Sequence, residues 1–143
     1  MRTVKNRFLL LLLCALAILF LTSCSRTFVI KPIGQFGKQI TFQFYKTASD
    51  VDPSKFSIVE FVVQEQVDTD KWVTVWELTG DQSLDRIEYG MKYKGLDEVV
   101  SAKPFSKDKQ YRVLVLEITW PNPKGYAGVS FSFQNDGTIS FDN

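Results

Sequence analysis

From Phe28 onward, apolar and polar residues alternate with a period of two, the repeat of a strand with one buried face rather than of a helix. In "QITFQFYK" Ile40, Phe42 and Phe44 share one face, with Thr41, Gln43 and Tyr45 on the other. "FSIVEFVVQEQ" groups Val59, Phe61 and Val63 against Ile58, Glu60, Val62 and Gln64, and "WVTVWELTG" groups Trp72, Thr74, Trp76 and Leu78 against Val73, Val75 and Glu77. "YRVLVLEITW" is apolar on both faces, Tyr111, Val113 and Val115 in one row and Leu114, Leu116, Ile118 and Trp120 in the other. That predicts a central strand covered on each side. "QNDGT" reads as a hairpin connection that brings Ile139 and Phe141 against the row of Val129, Phe131 and Phe133.

Turn-forming stretches such as "IGQFGK", "SDVDPSK", "DTDK", "TGDQS", "SKDK", "PNPKG" and "NDG" separate these runs. They recur about every dozen residues, the spacing of an antiparallel sandwich rather than of strand–helix–strand units. No long window holds a helical stripe. The expectation is an all-β domain over residues 28–143: one antiparallel β-sandwich of seven or eight strands in two sheets.

The chain opens differently. A basic head, Met1 to Arg7, precedes fourteen uncharged and mostly apolar residues, Phe8 to Leu21. That run is shorter than the roughly 20 residues of a membrane-spanning helix. With small residues following, it describes an export signal. Read from composition alone, a plain secretory signal with an incidental cysteine and an uncleaved anchor both stay open. "Leu21-Thr22-Ser23-Cys24" then resembles the lipobox of bacterial lipoproteins. The resemblance implies cleavage between Ser23 and Cys24, acylation of the Cys24 thiol, and a bond to membrane lipid through it. Residues 1–23 are then a signal peptide and 24–27 a short tether. Ser25, rather than Asp, follows the cysteine. In Gram-negative lipoproteins that pattern implies the periplasmic face of the outer membrane, and in another cell type the anchor would be the cell membrane.

Removal of the signal leaves about 120 residues, one ordinary domain. Arg2, Lys5 and Arg7 leave with it, taking the net charge from +1 to about −2. Without a basic stripe, and with export, nucleic acid is not an expected partner. Cys14 also departs, so an acylated Cys24 leaves no thiol for a disulfide. The absence of histidine removes Ser-His-Asp and Cys-His nucleophile pairs and any His-ligated zinc site. No cofactor is expected.

"KPFSKDKQYRVLVLEI" resembles the entry to the sixth strand of fibronectin type III and related immunoglobulin-like domains. There an apolar residue, here Phe105, stands six before a tyrosine, here Tyr111, across a polar turn. The resemblance implies that the Tyr111 hydroxyl satisfies backbone at the crossover between sheets while its ring caps the core. "VVQEQVDTDKWVTVW" looks like that family's third strand, hairpin and next strand. Phe42 or Phe44 stands where the family's second strand has a core tryptophan. "RIEYG" and "KGLDEVVSAKPF" further resemble small uncharacterised lipoproteins of proteobacteria, a likeness that implies no activity.

Candidate chemistry is sparse. The acid pairs Asp50 and Asp52, Asp68 and Asp70, and Asp97 and Glu98 fall in expected turns, where Asp favours bends, and none forms a regular calcium loop. Glu60, Glu65, Glu77, Glu88 and Glu117 occupy positions expected to face solvent. The phenylalanines, Phe42, Phe61, Phe131 and Phe133 among them, are expected in the core. Trp72 and Trp76 form either the same core row or an exposed sheet face. "TWPNPKGYAG" is expected as a loop at the end of the domain where the first strand begins. The three residues Ser25 to Thr27 reach only about 10 Å. Trp120 and Tyr126 are therefore candidates for headgroup-level contact with a membrane, or for a ligand contact, and Lys124 for phosphates. A proline-rich turn with Trp120 folded into the core is the alternative. The expected function is a non-enzymatic binding or assembly module with an envelope protein as partner. The alternatives are a carboxylate-dependent cell-wall glycan enzyme and a carrier of an apolar ligand.

Overall fold

The computed structural model describes residues 28–118 and 125–142. Among the described residues nine strands follow one another: β1 (Val29–Ile33), β2 (Thr41–Tyr45), β3 (Phe56–Asp68), β4 (Lys71–Leu84), β5 (Arg86–Glu88), β6 (Leu96–Val100), β7 (Gln110–Glu117), β8 (Gly125–Phe133) and β9 (Ile139–Asp142). They form two antiparallel sheets, three strands in the order β1-β2-β5 and six in the order β6-β4-β3-β7-β8-β9. The protein is an all-β sandwich. The division of β1-β2-β5 from β3-β7-β8 follows the sheet assignment of immunoglobulin-like domains. The count exceeds the expected seven or eight because β5 and β6, from "RIE" and "LDEVV", are short or polar and carry no alternation of their own.

Between the sheets lies a core dominated by rings. Phe28, Phe42, Phe44, Phe61, Trp76, Tyr111 and Phe131 are all within 1 % of full burial. Phe42 of β2 meets Phe61 and Phe131 of the facing sheet at centroid distances of 5.4 and 5.7 Å. Burying one such side chain is worth about 1.5–3 kcal/mol. Phe42 and Phe44, the two candidates for the core position of β2, are both fully buried.

Two irregularities change which residues face this core. Between Ile58 and Glu60 the register shifts against both neighbours: β3 has one extra residue relative to β7, and β4 has one extra residue between Thr79 and Gln82 relative to β3. Ile58, not Val59, therefore joins Phe61 and Val63 inside. On β4 the register slips by one where Val63 pairs with Trp76 but Gln64 with Thr74. The extra residue, Val75, rotates the strand, so Trp76 and Leu78 point inward while Trp72 and Thr74 point to the other face. The expected single row is split at that point.

β4 also runs straight through "TGDQS", which had the composition of a turn. Gly80 has φ +155°, and a Cβ there would lie 2.2 Å from the Gly95 carbonyl oxygen. Its bare backbone lets the chain before β6 approach, with Asp81 N–H donating to Gly95 O at 3.0 Å. The hairpin joining β8 and β9 has the expected register, Phe133 opposite Ile139 and Phe131 opposite Phe141. Gly137 takes the left-handed turn position at φ +85°.

Candidate functional site

One end of the sandwich brings together the entry of the described chain at Phe28, the end of β7 and the start of β8. Phe28 stacks on Phe56 at 4.5 Å, so the chain enters beside the start of β3. There Ile118 N–H donates to Ser57 O at 3.0 Å, and Glu117, the last residue of β7, pairs with Ile58 on one side and Gly125 on the other. The end of β7, the start of β8 and the entry of the chain thus lie together, as expected. Ser23, Cys24, Trp120 and Lys124 lie outside the described residues, as do the signal, the tether and Asn143. Tyr126 is described and differs from expectation. It is the second residue of β8, not part of a loop, and its side chain is half exposed on the outer sheet face. Pairing with Leu116 across the ladder draws it into the strand despite the neighbouring glycine.

The tyrosine corner is formed as the resemblance implies. Ser106 N–H donates to the Tyr111 hydroxyl at 2.7 Å, and the hydroxyl lies 3.3 Å from Ser106 O and 3.2 Å from Glu65 Oε2. Phe105 meets the Tyr111 ring edge-on at 4.8 Å. Burial raises the Tyr111 pKa, with the facing Glu65 charge adding to it against the backbone hydrogen bond.

Among the described residues the outer face of the six-stranded sheet is partly exposed. Leu114 is 36 % exposed, and Leu116 is half-buried. The expectation that the Tyr111 strand is covered on both sides therefore fails: its second apolar row faces outward. The strand also ends at Glu117, short of Trp120. Across this face, strand pairing sets a polar row of Thr74, Gln64, Arg112, Ser130 and Asp142. Arg112 Nε donates to Gln64 Oε1 at 2.7 Å, and its guanidinium lies 4.4 Å over the Trp72 ring. Trp72 thus belongs to the exposed face and Trp76 to the core. The next row toward the end where Phe28 enters is apolar, Val62, Leu114 and Gly128. A groove of about 440 Å³ opens over Gly128, bounded by Leu114, Tyr126, Arg112, Ser130 and Asp142. Leu114 leans over Gly128, its Cδ2 3.3 Å from where a Cβ would stand.

The acids are tied to local structure. Asp50 accepts from the Thr47 N–H and hydroxyl at 2.9 and 2.8 Å, which lowers its pKa, and Asp52 is exposed in the same loop. Asp68 accepts from Thr69 N–H at 2.8 Å, with Asp70 in the turn. Asp97 and Glu98 are on β6, not in a turn. Glu98 accepts from the Trp76 indole N–H and the Ser101 hydroxyl, both at 3.0 Å, and these bonds lower its pKa, the indole most. Glu60, Glu65, Glu77 and Glu88 are half-buried, whereas Glu117 is 1 % exposed, contrary to the expected solvent position, because it falls in the inward row of Val113 and Val115. Among the described residues no cluster of three or more Cys, His, Asp or Glu is placed to hold a metal ion.

No family model matches the chain, and no curated protein or solved structure matches it.

Proposed function

We propose that this chain is a lipid-anchored envelope lipoprotein, facing the periplasm from the outer membrane, whose β-sandwich is a non-enzymatic binding or assembly module. The observation that carries the reading is the joining of the lipobox to the fold. Cys24 stands only four residues before Phe28, which is locked in the core with 1 % exposure. A tether this short, about 10 Å over Ser25 to Thr27, keeps the end formed by Phe28, Ile118 and Gly125 close to the acyl chains. Two or more acyl chains hold a protein durably at a bilayer. In this reading Trp120 and Tyr126 meet the headgroup level and Lys124 faces phosphates.

The binding role draws support from what the polar residues do. Asp50, Asp68 and Glu98 spend their oxygens on the fold, and the rings of Phe42, Phe61 and Phe131 fill the space between the sheets themselves. The outer sheet face, by contrast, presents apolar and polar rows to solvent, the surface a partner protein uses. In-membrane crosslinking of the acylated protein tests the proposal. It predicts one stoichiometric envelope protein. Recovery of none, together with cell-wall glycan cleavage abolished by Asp97→Asn or Glu98→Gln, would replace it with an enzyme.

A further inference from the structure

β1 runs from Val29, opposite Tyr45, to Ile33, opposite Thr41, so its turn into β2 lies at the end of the sandwich away from Phe28. Glu88 pairs with Thr41, and the loop after β5 leaves at that same end. Tyr89 fastens three loops together there. Its N–H donates to Ile40 O at 2.9 Å, its carbonyl accepts from Gln39 Nε2 at 3.0 Å, and its hydroxyl donates to Lys103 O at 2.7 Å. The ring packs on Trp76 and Phe105 at 4.9 and 4.1 Å. Gly90 brings the second loop against the third, since a Cβ there would stand 3.5 Å from the Ala102 Cβ. The three loops form one preorganised surface.

Its charge is of one sign. Residues 34–40, 89–95 and 101–105 hold Lys38, Lys92, Lys94 and Lys103 and no acid. All four lysines are exposed, and among the described residues none forms an ion pair with a carboxylate. Glu98, which Lys92 helps to keep charged, spends its oxygens on the Trp76 indole and the Ser101 hydroxyl. The rest of the described chain has the opposite balance, eight lysines and arginines against sixteen acids. The residues outside the described ones hold Arg2, Lys5, Arg7, Arg26 and Lys124 and no Asp or Glu, so none of their side chains neutralises these lysines. Met91, next to Lys92, is 48 % exposed.

We propose that the end gathered at Tyr89 is a docking surface for an acidic protein partner, one that sets clustered carboxylates around an apolar side chain. Like charges held on one surface repel, and a partner's carboxylates relieve that repulsion. Lysine ammoniums are compact point charges without the planar fork of arginine, so they suit a field of carboxylates better than a single bidentate group. Protein interfaces place an apolar centre, where methionine is enriched, inside a polar rim. Met91 supplies the centre and the lysines the rim, where complementary charge speeds encounter and fixes register. The inference rests on the binding-module reading and deepens it by naming the partner's chemistry. It sets that partner on a surface distinct from the outer sheet face, at the end away from Phe28.

The test uses the full-length protein in micelles of a neutral detergent. One probe is a synthetic peptide in which glutamates and aspartates flank leucines; the other is polygalacturonate, a polyanion without apolar groups. In an NMR titration the peptide shifts the Met91 methyl and the amides of Lys38, Lys92, Lys94 and Lys103. Its affinity falls about tenfold as salt rises from about 0.05 to about 0.3 M. Lys92→Gln, Lys94→Gln and Lys103→Gln together weaken it by about tenfold or more. Lys46→Gln, Lys55→Gln and Lys71→Gln remove the same charge elsewhere and leave it within about twofold. Met91→Gln weakens the peptide about fivefold and leaves polygalacturonate unaffected. All these positions are exposed, so each variant keeps the circular dichroism and Tm of the parent.

Peptide shifts elsewhere, equal losses from the two lysine sets, or polygalacturonate bound as tightly as the peptide would each overturn the proposal. So would self-association abolished by the Lys92, Lys94 and Lys103 substitutions, which identifies a second copy as the occupant. A stoichiometric envelope partner crosslinked in membranes and unaffected by those substitutions removes this surface and leaves the binding module standing. Peptide docking at the lysines in a chain with no acyl group and no envelope partner does the reverse.

Discussion

Tyr111→Phe isolates the hydroxyl on which the sheet crossover depends. The ring stays, fully buried and stacked on Phe131 at 5.5 Å, so no cavity forms. What disappears is an acceptor 2.7 Å from the Ser106 N–H and a donor shared between Ser106 O and Glu65. The net worth of one such bond is about 0.5–1.5 kcal/mol, and stranding a donor adds to it. Ser106 itself is exposed, so water re-solvates part of its N–H and the loss is about 1–2 kcal/mol. Urea unfolding followed by circular dichroism should show a lower midpoint at unchanged slope, and Tm should fall by about 4–10 °C. The variant also tests pH dependence. Burial raises the Tyr111 pKa in the folded protein, so its contribution is whole below the unfolded value of 10.0 and fades as pH rises through the folded one. Tyr111→Phe should therefore flatten the alkaline limb of the stability curve. Tyr126→Phe, at an exposed position, is the control and should stay within about 0.5 kcal/mol of the parent. A Tyr111→Phe loss no greater than that of Tyr126→Phe, or an unchanged alkaline limb, would refute the reasoning.

Trp72→Ala and Trp76→Ala should differ sharply, because the Val75 bulge puts only Trp76 in the core: about 3–5 kcal/mol for Trp76 against about 1 kcal/mol for the Arg112-stacked Trp72. Equal losses in chemical denaturation would place both on one face. Gly80→Ala drives a Cβ to 2.2 Å from Gly95 O at an unfavourable φ, so β6 should detach; rapid proteolysis between Gly90 and Val100 is the readout, and parent-like resistance would contradict it. Glu98→Gln addresses the acid limb. Its folded pKa is lowered, chiefly by the Trp76 indole, so its contribution is present above the unfolded value of 4.5 and lost as pH falls through the folded one. Urea midpoints measured from neutral to acidic pH should fall less steeply in the variant than in the parent.

Much of the fold was legible because burial imposes period two on single strands. Ile40, Phe42 and Phe44, the Val129-Phe131-Phe133 row and the β8–β9 register are visible residue by residue. Phe105 and Tyr111 were legible for another reason: their task is local, a hydroxyl closing a turn five residues back. What escaped depends on the neighbouring strand. Val59 is an insertion relative to β7 and Val75 one relative to β3, and the apolar alternation of the sequence continues smoothly through them. β5 and β6 exist because β2 and β4 offer them a ladder, not because "RIE" or "LDEVV" alternates. Gly80 had the composition of a turn because a close backbone approach and a turn ask for the same residue.

Mass spectrometry of the amino-terminal peptide from protein purified out of membranes tests the lipid anchor most directly. The account predicts that the mature chain begins at Cys24 and carries acyl groups there, and that Cys24→Ser releases the protein from the membrane fraction. A peptide retaining Met1 to Ser23, or one beginning at an unmodified Cys24, would contradict it.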